Sequence, residues 1–362
     1  MGVRRFGAMV LVVLGLATPS SAEAPAQPSS NVTLEGIFVV GGPIRGAVLE
    51  DGYLYVATLT SLAIYDVEVP GAPELLATRV SNRLVHGELI STGGDLLLLN
   101  GLATQGLDVW NVEDKSNPVL AGTVEGLPDE HFSCLLDCAW AYGSAGSIVD
   151  LRVPQRPDVH SLNWKVVAGL GEKYFHRLDE YRPGFMATAP RGGAPKILDV
   201  RDPLAPRVVA TTRMPPINRS MFLYTEWARR GTDRFVLSST ENGACNDDFE
   251  GALVTFDTKG WPRDRTFEVA GRYRYPGRTE DESCLAYYFS PHPDFEDGGV
   301  VLLPNGMEGT RLVEVARNGK IREVGSFVLP TSDVWLAFWV DAEIFYALNA
   351  TGEVYILRYD RG

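Results

Sequence analysis

Three of the five histidines in this chain stand at one repeated place. His86 lies ten residues before Leu96, His131 ten before Ala141, and His176 ten before Met186. Those three targets hold equivalent positions in short apolar runs of β type. Arg45, ten before Tyr55, and Trp335, ten before Phe345, fill the same place in two further copies. Gathered imidazoles could hold a transition metal such as zinc or copper, with ring nitrogens about 2.0–2.1 Å from the ion. With Arg45 and Trp335 beside them they could instead hold an anion or another small ligand. The competing explanation is duplication: a repeat position that favours a hydrogen-bonding side chain was copied along with its strand.

Other chemistry is sparse. Asn246, Asp247, Asp248 and Glu250 could meet a calcium ion, although their spacing matches no known calcium loop and a solvated acidic loop explains them as well. Gly169-Leu170-Gly171 lacks the third glycine of a dinucleotide fingerprint. There is no Gly-x-Ser-x-Gly elbow, no His-Glu-x-x-His and no phosphate loop, and we assign no catalytic residue.

The elements that must position these residues come from a repeat. In KILDVRDPLAPRVVAT (Lys196 to Thr211) an apolar run ends in Asp199, with prolines at 203 and 206 before a second apolar run. The same grammar stands at Ile64–Ala77 (IYDVEVPGAPELLA) and Ile148–Val159 (IVDLRVPQRPDV), and at Leu107–Leu120 with Asn111 in place of the aspartate. Weaker copies place Asp257, Glu314 and Arg358 at the marked position. The marked positions are 66, 111, 150, 199, 257, 314 and 358. This spacing is that of propeller blades, each of which needs its neighbours to bury its faces. Runs such as ILDV have no helical period, and they read as strands buried on both sides. The terminal aspartate can accept backbone N–H groups of the following turn. A proline near the start of the next strand places that strand at a sheet edge.

We therefore expect an all-β, seven-bladed β-propeller of four-stranded antiparallel blades. Leu34–Val40 is an outermost strand with no blade before it, and Ile356–Tyr359 is a third strand with no fourth after it. The economical arrangement closes the ring by adding the N-terminal strand to the C-terminal blade, which removes two exposed edges. In that frame Cys134 and Cys138 lie near one hairpin. Cys245 and Cys284 share a face in neighbouring blades. Of the three possible pairings, 134–138 with 245–284 is expected, and four cysteines fit an oxidising compartment.

Residues 1–22 read as a secretory signal, with Arg4 and Arg5 before an apolar run and small residues at the cleavage point. Residues 23–32 are a flexible lead-in and 33–362 the single propeller domain. Loss of the leader moves the net charge from −13 to −15. An acidic chain with no basic stripe argues against nucleic acid and anionic membranes as partners. No later stretch is apolar enough to span a bilayer.

LAIYDVEVPGAP, SIVDLRVPQRP and KILDVRDPLAP, with HFSCLLDCAWAYGS, YYFSPHPDFEDGG and GKIREVGSFVLP, resemble the LVIVD-repeat β-propeller family, in particular its extracellular bacterial members. The resemblance covers nearly the whole mature chain and implies a secreted or surface propeller, and the expected location is extracellular or periplasmic. It transfers no reaction. The expectation is a monomeric, non-enzymatic binding or interaction module for a protein or small-molecule ligand. Its candidate site is the channel mouth formed by Arg45, His86, His131, His176 and Trp335. The rival is a metal-dependent hydrolase or oxidoreductase using those histidines.

Overall fold

The computed structural model describes residues 29–361, apart from 82–89, 102–105, 128, 130, 162–178, 183, 190–193, 214–220, 228–234, 243–250, 276–283, 287, 307–308 and 329–332. Residues 1–22, read from the sequence as a secretory signal, therefore lie outside the described residues, as do His86, His176 and Cys245.

Every named element is a strand. After β1 (Val32–Val39), the first sheet is formed by β2 (Ile44–Glu50), β3 (Tyr53–Thr58), β4 (Ser61–Asp66) and β5 (Glu74–Val80). The second contains β6 (Ser91–Gly93), β7 (Leu96–Asn100), β8 (Leu107–Asn111) and β9 (Val119–Val124). A third contains β10 (Phe132–Leu135), β11 (Trp140–Gly143), β12 (Ser147–Asp150) and β13 (Asp158–Ser161). Two ladders follow. One is β14 (Asp179–Arg182), β15 (Phe185–Thr188), β16 (Lys196–Asp199) and β17 (Arg207–Arg213). The other is β18 (Met221–Trp227), β19 (Phe235–Asn242), β20 (Ala252–Asp257) and β21 (Thr266–Arg274), with β22 (Cys284–Leu285) against β19. Then come β23 (Ser290–Pro291), β24 (Gly299–Pro304), β25 (Thr310–Val315) and β26 (Ile321–Phe327) as one sheet. The closing sheet has β27 (Val334–Trp339), β28 (Ile344–Asn349), β29 (Glu353–Tyr359) and β1.

The molecule is an all-β propeller built of four-stranded antiparallel units. Its hydrogen bonding corrects the expected count of seven separate blades to six sheets, five of four strands and one of nine. The reason is local. The outer strands β17 and β21 pair in parallel, Thr211 with Thr266 through Arg213 with Glu268, and fuse two ladders into one sheet. Strand β17, which begins just after Pro206, is thus no free edge: its N–H groups are available, and that of Thr211 donates to the Arg265 carbonyl at 3.0 Å. Closure is as expected, with β1 running antiparallel to β29 from Val32–Tyr359 to Val39–Glu353.

The cores lie between sheets. Tyr55, Ala57, Leu62 and Ile64 of the first sheet pack on Leu97, Leu99 and Trp110 of the second. Leu54, Val56 and Tyr65 face the other way, into a cluster shared with Tyr346 and Leu348 of the closing sheet. This is the two-sided burial that the ILDV-type runs encode. The marked residues also behave as expected. Side-chain oxygens of Asp66, Asn111, Asp150, Asp199 and Asp257 accept the backbone N–H two residues on, at 2.8–3.2 Å. Arg201 donates to Asp199 through Nε and Nη2, at 2.9 and 2.7 Å, and holds its carboxyl down at about 2.

Neighbouring units lock turn against strand. Tyr142 Oη donates to the Pro203 carbonyl at 2.5 Å, and Tyr346 Oη to that of Pro70 at 2.7 Å. At Gly271 a Cβ would stand 2.1 Å from the Gly319 carbonyl oxygen, and at Gly122 it would stand 2.0 Å from that of Pro154. Only glycine permits these close approaches.

Candidate functional site

Second strands end in buried polar side chains, and these fix the starts of neighbouring strands in the same blade. Thr58 Oγ1 accepts the Ser61 N–H at 3.1 Å, and Thr240 Oγ1 accepts that of Ala252 at 2.8 Å. Asn349 Oδ1 accepts the Asp333 N–H at 3.0 Å, while its Nδ2 donates to Glu353 and to Tyr355 Oη, both at 3.1 Å. Trp335, second in β27 and half-buried, donates its Nε1–H to Asp333 Oδ1 at 2.5 Å. The indole is thereby held by a residue that Asn349 itself holds.

His131 stands immediately before β10, at the start of an inner strand as the repeat predicts, and is buried at 7 % exposure. Its carbonyl accepts the Ser144 N–H at 2.9 Å, and its own N–H donates to Ser144 Oγ at 3.4 Å. Beside it, the fully buried Asp129 accepts from Ala145 N at 2.5 Å and from Ser147 N at 3.4 Å. Arg45 lies exposed on β2. His86 and His176 fall outside the described residues. Among the described residues no group of three His, Cys, Asp or Glu side chains is placed to hold a metal. The calcium candidates at 246–250 also lie outside the described residues.

Cys134 and Cys138 form a disulfide with Cα atoms 4.5 Å apart. It staples the β10–β11 turn, where Leu136, Asp137 and Cys138 all have positive φ. Leu136 N–H then donates to Glu180 Oε2 at 2.5 Å, and Gly184 N–H to Glu180 Oε1 at 2.6 Å, tying two turns together. The second expected pair is described only in part. The backbone of Cys284 pairs with that of Asn242, a few residues before Cys245.

One histidine outside the repeat position proves structurally important. His292 is 2 % exposed and meets Trp339 edge to face, with ring centroids 4.6 Å apart. Its Nδ1 accepts the Asp294 N–H at 3.0 Å, which leaves Nε2 to donate to the Ala342 carbonyl at 2.8 Å. Burial pushes its pKa down. Phe295, in the same SPHPDFEDG stretch, is fully buried. The stretch packs between the closing sheet and its neighbour, with His292 against Trp339 and Ala342 and Phe295 in the shared core. The closeness of His292, Pro293 and Phe295 in sequence is the signal for this packing, since large apolar groups beside a histidine are poor material for a solvated loop.

Grooves lie elsewhere on the described surface. One of about 380 Å³ runs along the seam of the first and closing sheets. Another, of about 850 Å³, lies beside β26 and the C-terminal residues.

No known family profile matches the chain, and no curated protein does. Solved structures do match in fold. A chain in the crystal structure of the mitotic checkpoint complex superposes with a TM-score of 0.62 at 12 % identity, over 98 % of this chain and all of its own. The WD40 β-propeller domain of Doa1 gives 0.56 at 12 % identity, over 92 % of this chain and 99 % of that one. The fold class is therefore a propeller of WD40-like shape, and at such identities the likeness concerns the fold alone. No helix among the described residues is long and apolar enough to cross a membrane.

Proposed function

We propose that this chain is a secreted LVIVD-type β-propeller that works as a non-enzymatic protein-interaction module. The nine-stranded sheet counts as two blades in this reading, giving seven. What carries it is the WD40-like fold itself, since one of the similar chains was solved within a multi-protein complex. A rigid ring that displays turns on two faces suits recognition, and a fold this versatile carries function in its sites. The channel mouth supports the same reading. There, Trp335 and Asn349 direct their polar atoms to internal partners.

The test is size-exclusion chromatography of the tagged protein, taken in its native extracellular fluid and compared with the purified chain. An interaction module elutes in a larger, defined complex that dissociates into stoichiometric components. A protein that elutes alone in that fluid and shows metal-dependent turnover would belong to the rival enzyme class.

A further inference from the structure

We infer that the seam groove between the first and closing sheets docks a short basic segment of a partner protein, its Lys or Arg side chains pairing with Asp51 and Glu68. This rests on the interaction-module reading and names the surface that serves it. The groove sits where the turn of β2–β3 meets the loop after β27. Leu49, Val67 and Pro70 line it together with four carboxylates, Glu50, Asp51, Glu68 and Asp341, and no described lining residue is basic. Val67 is 2 % exposed, whereas Asp51 and Glu68 are exposed.

Three features fit this occupant. The wall is fixed: Tyr346 Oη donates to the Pro70 carbonyl at 2.7 Å, and Phe38 packs on Tyr65 and Tyr346 with centroids 5.1 and 5.7 Å apart. Its chemistry matches an arginine or lysine, whose aliphatic stem lies on apolar surface while the charged head reaches carboxylates. Finally, the negative field extends past the groove. Burial first, then neighbouring Tyr53 and the charges of Asp51, Glu50 and Asp95, hold the Tyr55 hydroxyl above its usual pKa. A protein of net charge −13 draws a cationic segment toward such a surface.

The experiment is fluorescence anisotropy on the whole purified chain, with a labelled peptide of alternating arginine and leucine as probe and its glutamate counterpart as control. The expected result is saturable binding of the basic peptide alone, weakened about fivefold by Asp51→Asn with Glu68→Gln at low ionic strength. The pair Asp158→Asn with Glu268→Gln makes the same charge change on outer strands and should leave affinity unchanged. Equal weakening by both pairs, no binding by the parent, or displacement of the peptide by calcium at constant ionic strength would overturn the proposal. If the Asp51→Asn, Glu68→Gln protein still forms its native complex, the groove is refuted while the module reading stands.

Discussion

At the ends of the second strands, buried side chains such as Asn349 and Thr240 direct their hydrogen-bonding atoms inward to backbone and side-chain partners. In the seam groove, the carboxylates of Asp51 and Glu68 stand exposed on a wall that other residues hold rigid. The two regions are built on the same repeat, one at strand starts and the other at turns, and they differ in where polar atoms find their partners. Saturation inside the protein marks a position that maintains the fold. Charge left at the surface of a fixed concavity marks one that can recognise something else.

The largest effect that sharpens this contrast belongs to Asn349→Ala. It strands the Asp333 N–H and removes both Nδ2 donations from a site only 3 % exposed. We expect a loss of about 2–3 kcal/mol in denaturant unfolding, with basic-peptide affinity intact. A stability change near zero would mean that these strand ends are not a structural region. Next comes Tyr346→Phe, which deletes the bond to the Pro70 carbonyl at the groove wall. It should cost about 1 kcal/mol, read from the shift in the urea midpoint.

A third effect depends on pH. The folded-state pKa of His292 lies below its unfolded value because burial disfavours the charged ring, so the unfolded chain takes up the proton first. The associated stability is fully present above about pH 6.5 and declines as pH falls below it. Comparing His292→Gln with the parent across pH 5 to 8 isolates this contribution. Identical pH profiles would contradict the buried neutral tautomer. The smallest effect is that of Glu68→Gln on folding, expected to lie within about 0.5 kcal/mol by thermal denaturation. A larger loss would make Glu68 a structural residue and dissolve the contrast.

Much of the scaffold was legible because its signals are local. The marked aspartates announce turns that their own carboxylates close, and the orphan strands at the two chain ends announce their pairing. Cys134 and Cys138 sit close enough in sequence to fall in one hairpin. The junction of β17 with β21 was not legible, because it depends on two outer strands meeting far apart in sequence, with no periodic signature. The groove was equally hidden. Asp51, Glu68 and Asp341 belong to opposite ends of the chain, and only ring closure brings them to one seam. At the channel mouth the repeat offset located His131 and Trp335 at strand starts. It said nothing of Asn349 and Asp333, the partners that hold Trp335, because partners of this kind follow from packing rather than spacing.

The distinction between binding module and metal enzyme comes down to the metal content of the mature protein purified without chelators, measured beside a His86→Ala, His131→Ala, His176→Ala variant. Our account predicts no stoichiometric zinc or copper in the parent and no difference between the two proteins. One equivalent of metal in the parent, lost in the variant, would contradict it and place a metal centre at the channel mouth.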